Sequence, residues 1–209
     1  MDATTATAQF RKSLASNAPA YGVTLSDQNI DELANYYELL QRWNPRVHLV
    51  APCTAEQFAT RHILESLLML KHLPDGAKVV DVGSGAGLPI VPCLIVRSDT
   101  TAVLFEISQK KAVFLREALG HTHLSSRATV RNERFEDATV PPCEFLSCRA
   151  LERFEEMLPH LLEWAPAQST LILFGALRLS NQIESLGFAS NAELIPRSKA
   201  RFLYLVRKG

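Results

Sequence analysis

The chain of 209 residues is long enough for one well-buried α/β domain with an additional lobe. Lysine and arginine together number 22, as do aspartate and glutamate, so the formal net charge is zero and no global field attracts nucleic acid. A hydrophobic share of 47% excludes an intrinsically disordered chain.

Signals for a membrane, a metal or an oxidising compartment are not found in the sequence. The N-terminus lacks a charged region followed by an apolar one, and no apolar run has the length of a membrane span. The cysteines form no C-x-x-C pair, which argues against zinc and against disulfides: Cys53, Cys93, Cys143 and Cys148. We therefore expect a cytoplasmic protein with no metal and no membrane partner.

The first 75 residues are predicted to be helical and to form an N-terminal helical cap. Apolar residues recur at helical spacing between Ile30 and Leu40, and Ser26 precedes them as a candidate N-cap. Thr54 and Gln57 have the spacing of a capping box before a second apolar series. The sequence between these helices, Trp43–Leu49, is interpreted as a turn.

From residue 76 to 209 the pattern changes to alternating strands and helices, which is typical of a doubly wound parallel sheet. The predicted strands are 77–82, 101–106, 127–131, 143–148 and 169–174, and the predicted helices are 88–97, 109–120, 152–164 and 177–186. Residues 190–207 alternate as two further strands, with the last one antiparallel. This second segment is predicted to be a Rossmann-like core that forms one compact unit with the cap.

A glycine-rich loop follows the first predicted strand. Asp81 is followed by Gly83, Gly85 and Gly87, and glycines at such a turn let a ligand approach the backbone closely. The third glycine of a dinucleotide fingerprint would stand at Leu88. The D-x-G-x-G-x-G pattern instead resembles motif I of class I S-adenosylmethionine (SAM) methyltransferases. The alternative is a glycine-rich turn of some other α/β enzyme.

Further candidate residues stand where the later strands end, at the edge of the sheet where such folds bind ligands. Asp81 would favour the cationic amino group of SAM, and backbone N–H groups of a helix that begins near Leu88-Pro89 would favour its carboxylate. Glu106 is placed to bind ribose hydroxyls. After the third strand, Phe135 is predicted to pack on the adenine and Glu136 to meet its polar groups, unless this is a charged surface loop.

Two other features have competing interpretations. Pro141-Pro142-Cys143 resembles the nucleophile motif of cytosine methyltransferases, but it precedes the fourth strand rather than following it, so Cys143 is interpreted as structural. The last 16 residues carry five bases and no acid, which indicates either a protected edge strand or a surface that faces RNA: Arg197, Lys199, Arg201, Arg207 and Lys208.

Several segments together resemble the RsmG family, also called glucose-inhibited division protein B, the guanine-N7 methyltransferases of bacterial 16S ribosomal RNA. They are Leu39–Asn44, Arg61–Leu67, Asp81–Pro89, Lys110–Leu115, Arg134–Glu136 and Arg149-Ala150. Four segments depart from the family pattern: Ile90 stands in place of glycine, His48–Val50 in place of Asn-Leu-Thr, Glu65 in place of aspartate, and Phe174 in place of lysine.

The resemblance implies a class I methyltransferase fold and assigns roles to individual residues. SAM contacts are implied for Gly83, Leu88, Phe135, Glu136 and Arg149. Positive charge for the RNA is implied at Lys110, Arg134 and Arg149, while Asn44, Arg61 and His62 are expected on the cap, facing the same cleft.

The expected reaction is methyl transfer to N7 of a guanosine in the 530 loop, by a monomer acting on 16S rRNA or the small ribosomal subunit. The N7 atom already carries an in-plane lone pair, so no general base is required and Arg149 is assigned a positioning role. Two alternatives remain, a class I methyltransferase of a small molecule or protein and a SAM-binding module without catalysis.

Overall fold

The computed structural model describes residues 3–149 and 154–209. Within these residues one sheet contains seven strands: β1 Lys78–Val82, β2 Thr101–Phe105, β3 Ala128–Arg131, β4 Phe145–Arg149, β5 Thr170–Ala176, β6 Ser190–Leu194 and β7 Arg201–Arg207. Each predicted strand of the parallel part begins and ends within two residues of the observed one. The alternating pattern of strand-like and helix-like segments therefore predicted these strands correctly.

The sheet has the order β3-β2-β1-β4-β5-β7-β6. Strands β1 to β5 are parallel, whereas β7 runs antiparallel to β5 and β6 antiparallel to β7. The chain reverses its direction of travel across the sheet between β1 and β4, and doubly wound folds bind ligands at such a point. The predicted doubly wound sheet with an antiparallel end is confirmed.

The helices form layers on both faces of the sheet. Three helical segments precede β1, and four helices connect or follow the parallel strands: Ala3–Asn17, Asp27–Val47, residues 55–72, Ile90–Val96, Gln109–His121, Phe154–Trp164 and Arg178–Ser185. Short 3-10 turns lie at Ala18–Tyr21 and Phe135–Asp137. The predicted start of the helix after β4, residues 152 and 153, lies outside the described residues, as does Ala150. No described helix combines the length and the apolar character needed to cross a bilayer.

Both predicted helix caps of the N-terminal segment are confirmed. The Ser26 hydroxyl accepts a hydrogen bond from the Asn29 N–H at 3.1 Å. The Thr54 hydroxyl accepts one from the Gln57 N–H at 3.1 Å, and the Gln57 side chain accepts the Thr54 N–H at 3.0 Å. These reciprocal bonds satisfy backbone donors that a helix leaves unpaired at its N-terminus.

The predicted turn over Trp43–Leu49 is wrong, because the helix continues through Pro45 to Val47. It ends at His48, which adopts a left-handed conformation with a φ of 52°. The Asn44 side chain closes the following loop by accepting the Val50 N–H at 2.9 Å and donating to the Val50 carbonyl at 3.1 Å. These bonds support the last helical turn, where proline removes one backbone donor.

The third helical segment is not a regular α-helix. Residues Phe58–Leu64 form a π-helix, in which the Glu65 N–H reaches the carbonyl of Thr60 five residues earlier. The π-helix joins two short α-helical pieces, and Leu68–His72 continues as a 3-10 turn. Such wide turns are frequent at functional sites, and this one carries Arg61 and His62.

Buried apolar residues form one cluster on each face of the sheet. The first cluster joins the N-terminal helices to the helices Ile90–Val96 and Gln109–His121 and to β1, β2 and β3. The second joins the opposite face to the helices Phe154–Trp164 and Arg178–Ser185. The first cluster contains residues from both sides of the predicted boundary at residue 75, for example Leu40 and Leu115. That domain division stays a prediction.

Candidate active site

The glycine loop connects β1 to the helix Ile90–Val96. The N–H groups of Gly83 and Ser84 both donate to the Phe105 carbonyl at the end of β2, at 3.0 and 3.1 Å. Gly83, Gly85 and Gly87 have φ angles of 70°, 54° and 82°, which L-residues with a side chain rarely adopt. The loop is therefore fixed to the carboxyl end of the neighbouring strand by its own backbone.

Gly85 and Gly87 contribute differently to this loop. A Cβ atom at Gly87 would lie 2.6 Å from Cγ2 of Val91, so this glycine is required for packing against the following helix. A Cβ atom at Gly85 would meet only the Gly83 carbonyl, at 3.7 Å. The space beside Gly85 is therefore open to a ligand, whereas Gly87 is closed by protein.

The helix that follows the loop begins at Ile90, two residues later than predicted. Gly87 has a positive φ, and Pro89 is the residue that caps the helix. A left-handed residue cannot belong to a right-handed helix, so Gly87 stays in the loop, and Leu88 and Pro89 form the turn that precedes the helix. Leu88 therefore offers its N–H from the loop, Pro89 has no N–H to offer, and the N–H groups of the helix begin at Ile90.

Tyr36, on the helix Asp27–Val47, holds the glycine loop from the side of the N-terminal helices. Its buried hydroxyl donates a hydrogen bond to the Ala86 carbonyl, and burial raises the pKa of that hydroxyl. Helical periodicity indicates only that a tyrosine is buried, so the sequence does not assign Tyr36 to the site. The bond joins residues 50 positions apart in the sequence, so no local sequence pattern predicts it.

Asp81 is a buried carboxyl group beneath the loop. Its Oδ1 accepts a hydrogen bond from the Ser147 hydroxyl on β4 at 2.5 Å, but Oδ2 is buried without a partner. Burial, with a smaller contribution from Glu106, raises the pKa of Asp81 to about 7, although hydrogen bonds from Ser147 and Ser84 act in the opposite direction. A buried oxygen without a donor fits the amino group of a ligand, since a cation would satisfy it and restore the carboxylate.

Glu106 connects the end of β2 to the glycine loop. Its Oε2 accepts the Gly85 N–H at 2.8 Å, and its Oε1 accepts the Ser108 N–H at 2.7 Å. A carboxylate has about four acceptor positions, so two remain for ribose hydroxyls. Ile107, which no sequence pattern marks, follows and is 62% exposed. An exposed isoleucine beside this carboxylate offers an apolar surface for an adenine.

Phe135 lies in the loop after β3, but its ring is turned into the core. The residue is 4% exposed and packs against Trp164, with ring centroids 5.3 Å apart. The prediction that this ring stacks on an adenine is therefore wrong, because the apolar core takes the ring. Its backbone stays in the loop at the strand end. Contact with the cofactor through Phe135 stays a prediction of the resemblance.

Arg134 and Glu136 flank Phe135 and bind each other. The Arg134 guanidinium donates to Glu136 Oε1 at 2.8 Å, and about half of the Arg134 side chain is exposed. A pair this exposed contributes little to stability. Both side chains are therefore available for other partners, and their assigned roles in binding RNA and cofactor stay predictions.

Arg149, at the end of β4, contacts the irregular third helical segment. Its guanidinium donates to the Arg61 carbonyl at 2.6 Å, to the Ser66 hydroxyl at 3.3 Å and to Glu65 Oε2 at 3.3 Å. Its Cζ lies 5.5 Å from the centre of the Phe174 ring. Phe174 thus supports the arginine through its ring face. Burial lowers the pKa of Arg149, and Glu65 opposes that effect.

Glu65 is shared by two arginines. It is 1% exposed and accepts hydrogen bonds from Arg201, at the start of β7, at 2.6 and 3.2 Å, besides the bond from Arg149. One carboxylate between two guanidinium groups leaves a net positive charge. In the sequence alone, Glu65 is only a departure from the family pattern and Arg201 is only one of five terminal bases. Their sequence separation of 136 positions concealed the pair.

His62 lies in the same positive environment. Burial and the charges of Arg149, Arg61 and Arg201 lower its pKa to about 4. The ring lies 5.1 Å from that of Phe58. His62 is therefore neutral near pH 7, and among the described residues Arg61, Arg149 and Arg201 supply the positive charge around it. Contact of Arg61 and His62 with RNA stays a prediction.

The remaining predicted RNA contacts are Asn44 and Lys110. The amide of Asn44 closes its own loop through Val50. Lys110 is exposed in the first turn of the helix Gln109–His121, beside Trp43 and Arg46 of the preceding helical layer. Both roles stay predictions.

The five terminal bases do not form one surface. Arg201 reaches Glu65, Arg197 binds the Asn17 side chain, and Lys208 binds the Ala165 carbonyl. Arg207 lies opposite Thr170 at the other end of β5. One seven-residue strand thus places Arg201 and Arg207 at opposite edges of the sheet, so only part of this segment faces the cleft.

Known proteins share both the sequence and the fold of this chain. A family model described as GidB, rRNA small subunit methyltransferase G, matches residues 29–193. Ribosomal RNA small subunit methyltransferase G of Sinorhizobium medicae strain WSM419 is 34% identical over 159 residues, 74% of each chain. The protein of that name from Yersinia enterocolitica is 36% identical over 147 residues, 70% of this chain and 71% of that protein.

Solved methyltransferase structures share the fold at low sequence identity. An O-methyltransferase from Bacillus cereus in complex with SAH has a TM-score of 0.57 at 17% identity, over 84% of this chain and 91% of that chain. A SAM-dependent methyltransferase from Aquifex aeolicus has a TM-score of 0.56 at 16% identity, over 69% of this chain and 89% of that chain. The fold is that of class I methyltransferases, and the chain belongs to the GidB family of rRNA small subunit methyltransferases.

Proposed function

We propose that this protein transfers a methyl group from SAM to N7 of a guanosine in the 530 loop of bacterial 16S rRNA. The family match over residues 29–193 carries the proposal, because it includes the glycine loop, Arg149 and the helical segment that Arg149 contacts. The substrate is either free 16S rRNA or the small ribosomal subunit, and the protein acts as a monomer in the cytoplasm without a metal.

The residues around the glycine loop fit the parts of SAM. Asp81, with its buried Oδ2, would hold the amino group, and Gly85 leaves space beside the loop. Glu106 would hold the ribose hydroxyls, and the exposed Ile107 would support the adenine. Backbone atoms of Gly83, Gly87, Leu88, Phe135 and Glu136 would complete the contacts. When bound, SAM supplies an electrophilic methyl group on a sulfonium.

The side chains around Arg149 bind and position the RNA rather than move a proton. Guanine N7 needs no base, so alignment of the reacting atoms, about 3–3.5 Å apart, is the main task of the protein. Glu65 and Phe174 fix the Arg149 guanidinium from two sides. Arg149 and Arg201 would hold an RNA phosphate or the cofactor carboxylate, with Arg61 beside them. Phosphate binding by these arginines makes RNA affinity fall as salt concentration rises.

The test is methylation of small-subunit RNA from cells that lack this gene. The purified protein and SAM are added to the small subunits and to the free RNA, and the products are mapped by mass spectrometry. We expect one new 7-methylguanosine in the 530 loop. Methylation at another position, or only of a small molecule or protein, would contradict the proposal, and SAM binding without any transfer would indicate a non-catalytic module.

A matched pair of variants tests the assigned role of Arg149. Arg149→Ala is expected to reduce transfer at least 100-fold, the order of effect of a positioning contact, while the protein stays folded. Arg207→Ala removes an arginine from the opposite edge of the sheet and is expected to leave transfer unchanged. Equal activity of the two variants would remove Arg149 from the site.

A further inference from the structure

A groove of about 330 Å³ lies between the end of the helix Asp27–Val47 and the beginning of the helix Gln109–His121. Its volume is at the lower end of the range of ligand pockets, about 300–1,000 Å³. Its lining residues are Trp43, Arg46, Val47, Gln109, Lys110 and Val113. None of these lining residues belongs to the glycine loop or to the arginines around Glu65.

The apolar part of the groove contains a fixed aromatic ring. Trp43 is half-buried, and its ring contacts the fully buried Phe114 edge-on, with centroids 5.9 Å apart. Val113 is 44% exposed although it is a large apolar residue. A ring held by the core on one side and open on the other is a suitable stacking surface for a planar group.

The charged part of the groove favours an anion. Arg46 and Lys110 are both exposed, and the six lining residues include no acid. An aromatic ring between two cations is the combination that binds single-stranded nucleic acid, because the bases stack and the phosphates pair with the cations. If a second copy of this chain occupied the groove instead, it would have to place acids or apolar residues opposite the two cations.

The groove is connected to the glycine loop by a residue adjacent in sequence and two hydrogen bonds. Gln109 directly follows Ser108, whose N–H donates to Glu106, and Glu106 in turn accepts the Gly85 N–H. An RNA strand that presents a base at the glycine loop would therefore continue past this groove.

We propose that this groove binds one nucleotide that flanks the methylated guanosine, with its base on Trp43 and a phosphate on Arg46 and Lys110. The inference rests on the proposed function, since it assumes an RNA substrate. It goes beyond that function by assigning the groove to a second base. The RNA is thus held at two separate places.

Variants of the groove test this assignment by the affinity for a fluorescein-labelled single-stranded RNA that contains the 530-loop sequence. Trp43→Leu is expected to weaken RNA binding about 10-fold, the effect of one lost base stack, while Trp43→Phe keeps most of the affinity. Val113→Glu places a carboxylate at an exposed rim position and is expected to weaken binding without disturbing the core. Lys110→Gln weakens binding, whereas Lys111→Gln on the same helix does not.

A second measurement separates stacking from loss of structure. RNAs that each lack one base are compared on the native protein and on Trp43→Leu. One abasic position is expected to weaken binding to the native protein about 10-fold and to cause no further loss in Trp43→Leu. SAM affinity, measured by calorimetry, stays unchanged in every groove variant.

Three results would overturn the assignment. Unchanged RNA affinity in Trp43→Leu and Val113→Glu would exclude a base in the groove, and equal losses at all abasic positions would exclude a stack at Trp43. A dimer of the native protein that Trp43→Leu dissociates would identify the groove as a contact between copies. Methylation of the wrong nucleotide by the native protein would contradict the proposed function alone, because the abasic comparison does not depend on transfer.

Discussion

The Tyr36 hydroxyl donates a hydrogen bond to the Ala86 carbonyl and so connects the N-terminal helices to the glycine loop. Tyr36→Phe leaves the buried Ala86 carbonyl without this donor, which costs about 1–3 kcal/mol. We expect a lower melting temperature and weaker SAM binding by calorimetry, because the loop loses a fixed support. Tyr37→Phe is the control, since the Tyr37 ring stacks on Phe10 at 4.4 Å, away from the loop. Equal SAM affinities of the two variants would contradict this role.

His62 is expected to make the protein sensitive to acid. Its pKa is about 4 in the folded chain and 6.5 as the reference value, so the unfolded chain binds the proton first. Its contribution to stability is therefore present above pH 6.5 and is lost as the pH falls from 6.5 to about 4. The groups that face it, Arg61, Arg149 and Arg201, all act in this direction.

The measurement is the free energy of unfolding of the native protein and of His62→Gln at several pH values. Relative to His62→Gln, the native protein should lose on the order of 3 kcal/mol by pH 4, since one unit of pKa is about 1.4 kcal/mol. His160→Gln changes an exposed histidine and serves as control. Parallel stability curves for the native protein and His62→Gln would show that the ring is not in this environment.

Individual site residues could be predicted where a local pattern marks them. Asp81, the three glycines, Glu106 and Arg149 follow strands or form a motif, so topology alone brings them to one edge. Tyr36, Glu65 and Arg201 could not be found in this way, because each acts through a partner 50 or more positions away. The direction of the Phe135 ring was equally hidden, since either face of the loop accepts an aromatic residue.

At the scale of elements, two glycines of the loop have different roles, since Gly87 allows close packing and Gly85 leaves space for a ligand. Gly87→Ala combines a positive φ with a Cβ 2.6 Å from Val91, so we expect a loss of several kcal/mol in unfolding free energy. Gly85→Ala has the positive φ without a close contact and should cost about 1–2 kcal/mol. Gly85→Ala should nevertheless abolish SAM binding, because its methyl group enters the open space.

Gly76→Ala is the matched control for these variants. Its φ is 73° and a Cβ atom there would meet nothing within 4 Å. Gly76→Ala should lose about as much unfolding free energy as Gly85→Ala, measured by chemical denaturation. Its SAM affinity should equal that of the native protein. If Gly85→Ala bound SAM as tightly as Gly76→Ala, the space beside Gly85 would not be the cofactor site.

The elements themselves differ in how far the sequence predicts them. The parallel strands were predicted to within two residues, because buried strands are short, apolar and bounded by turns. The end of the helix at Val47 was not, since Pro45 indicates a break and the Asn44–Val50 bonds that support it are specific to this fold. The π-helix Phe58–Leu64 was also missed, because the same apolar spacing fits an α-helix and a π-helix.

For the whole molecule, a net charge of zero conceals a local positive field. Arg149 and Arg201 both bind the carboxylate of Glu65, and together with Arg61 they lower the pKa of His62. Acids elsewhere in the sequence bring the formal total to zero. Composition therefore excluded a long-range attraction for RNA but could not exclude a binding site, which depends on charges within about 10 Å.

Apolar residues of the N-terminal segment and of the sheet-forming segment pack together in one hydrophobic core. Phe10, Leu33 and Leu40 belong to the same buried cluster as Leu94 and Leu115. A chain shortened to residues 76–209 would expose this face of its sheet and helices to water. We expect it to lack a cooperative thermal transition and to bind a hydrophobic dye, since exposing apolar surface costs about 25 cal/mol per Å².

Mixing the separate segments 1–75 and 76–209 provides the control for this prediction. If the two share one core, their mixture should regain a cooperative transition and SAM binding, because the buried cluster and the Tyr36 contact with Ala86 re-form. A cooperative transition in residues 76–209 alone would show instead that the sheet folds independently and that the boundary at residue 75 separates two domains. SAM binding by that segment alone would further show that the Tyr36 contact is dispensable for the loop.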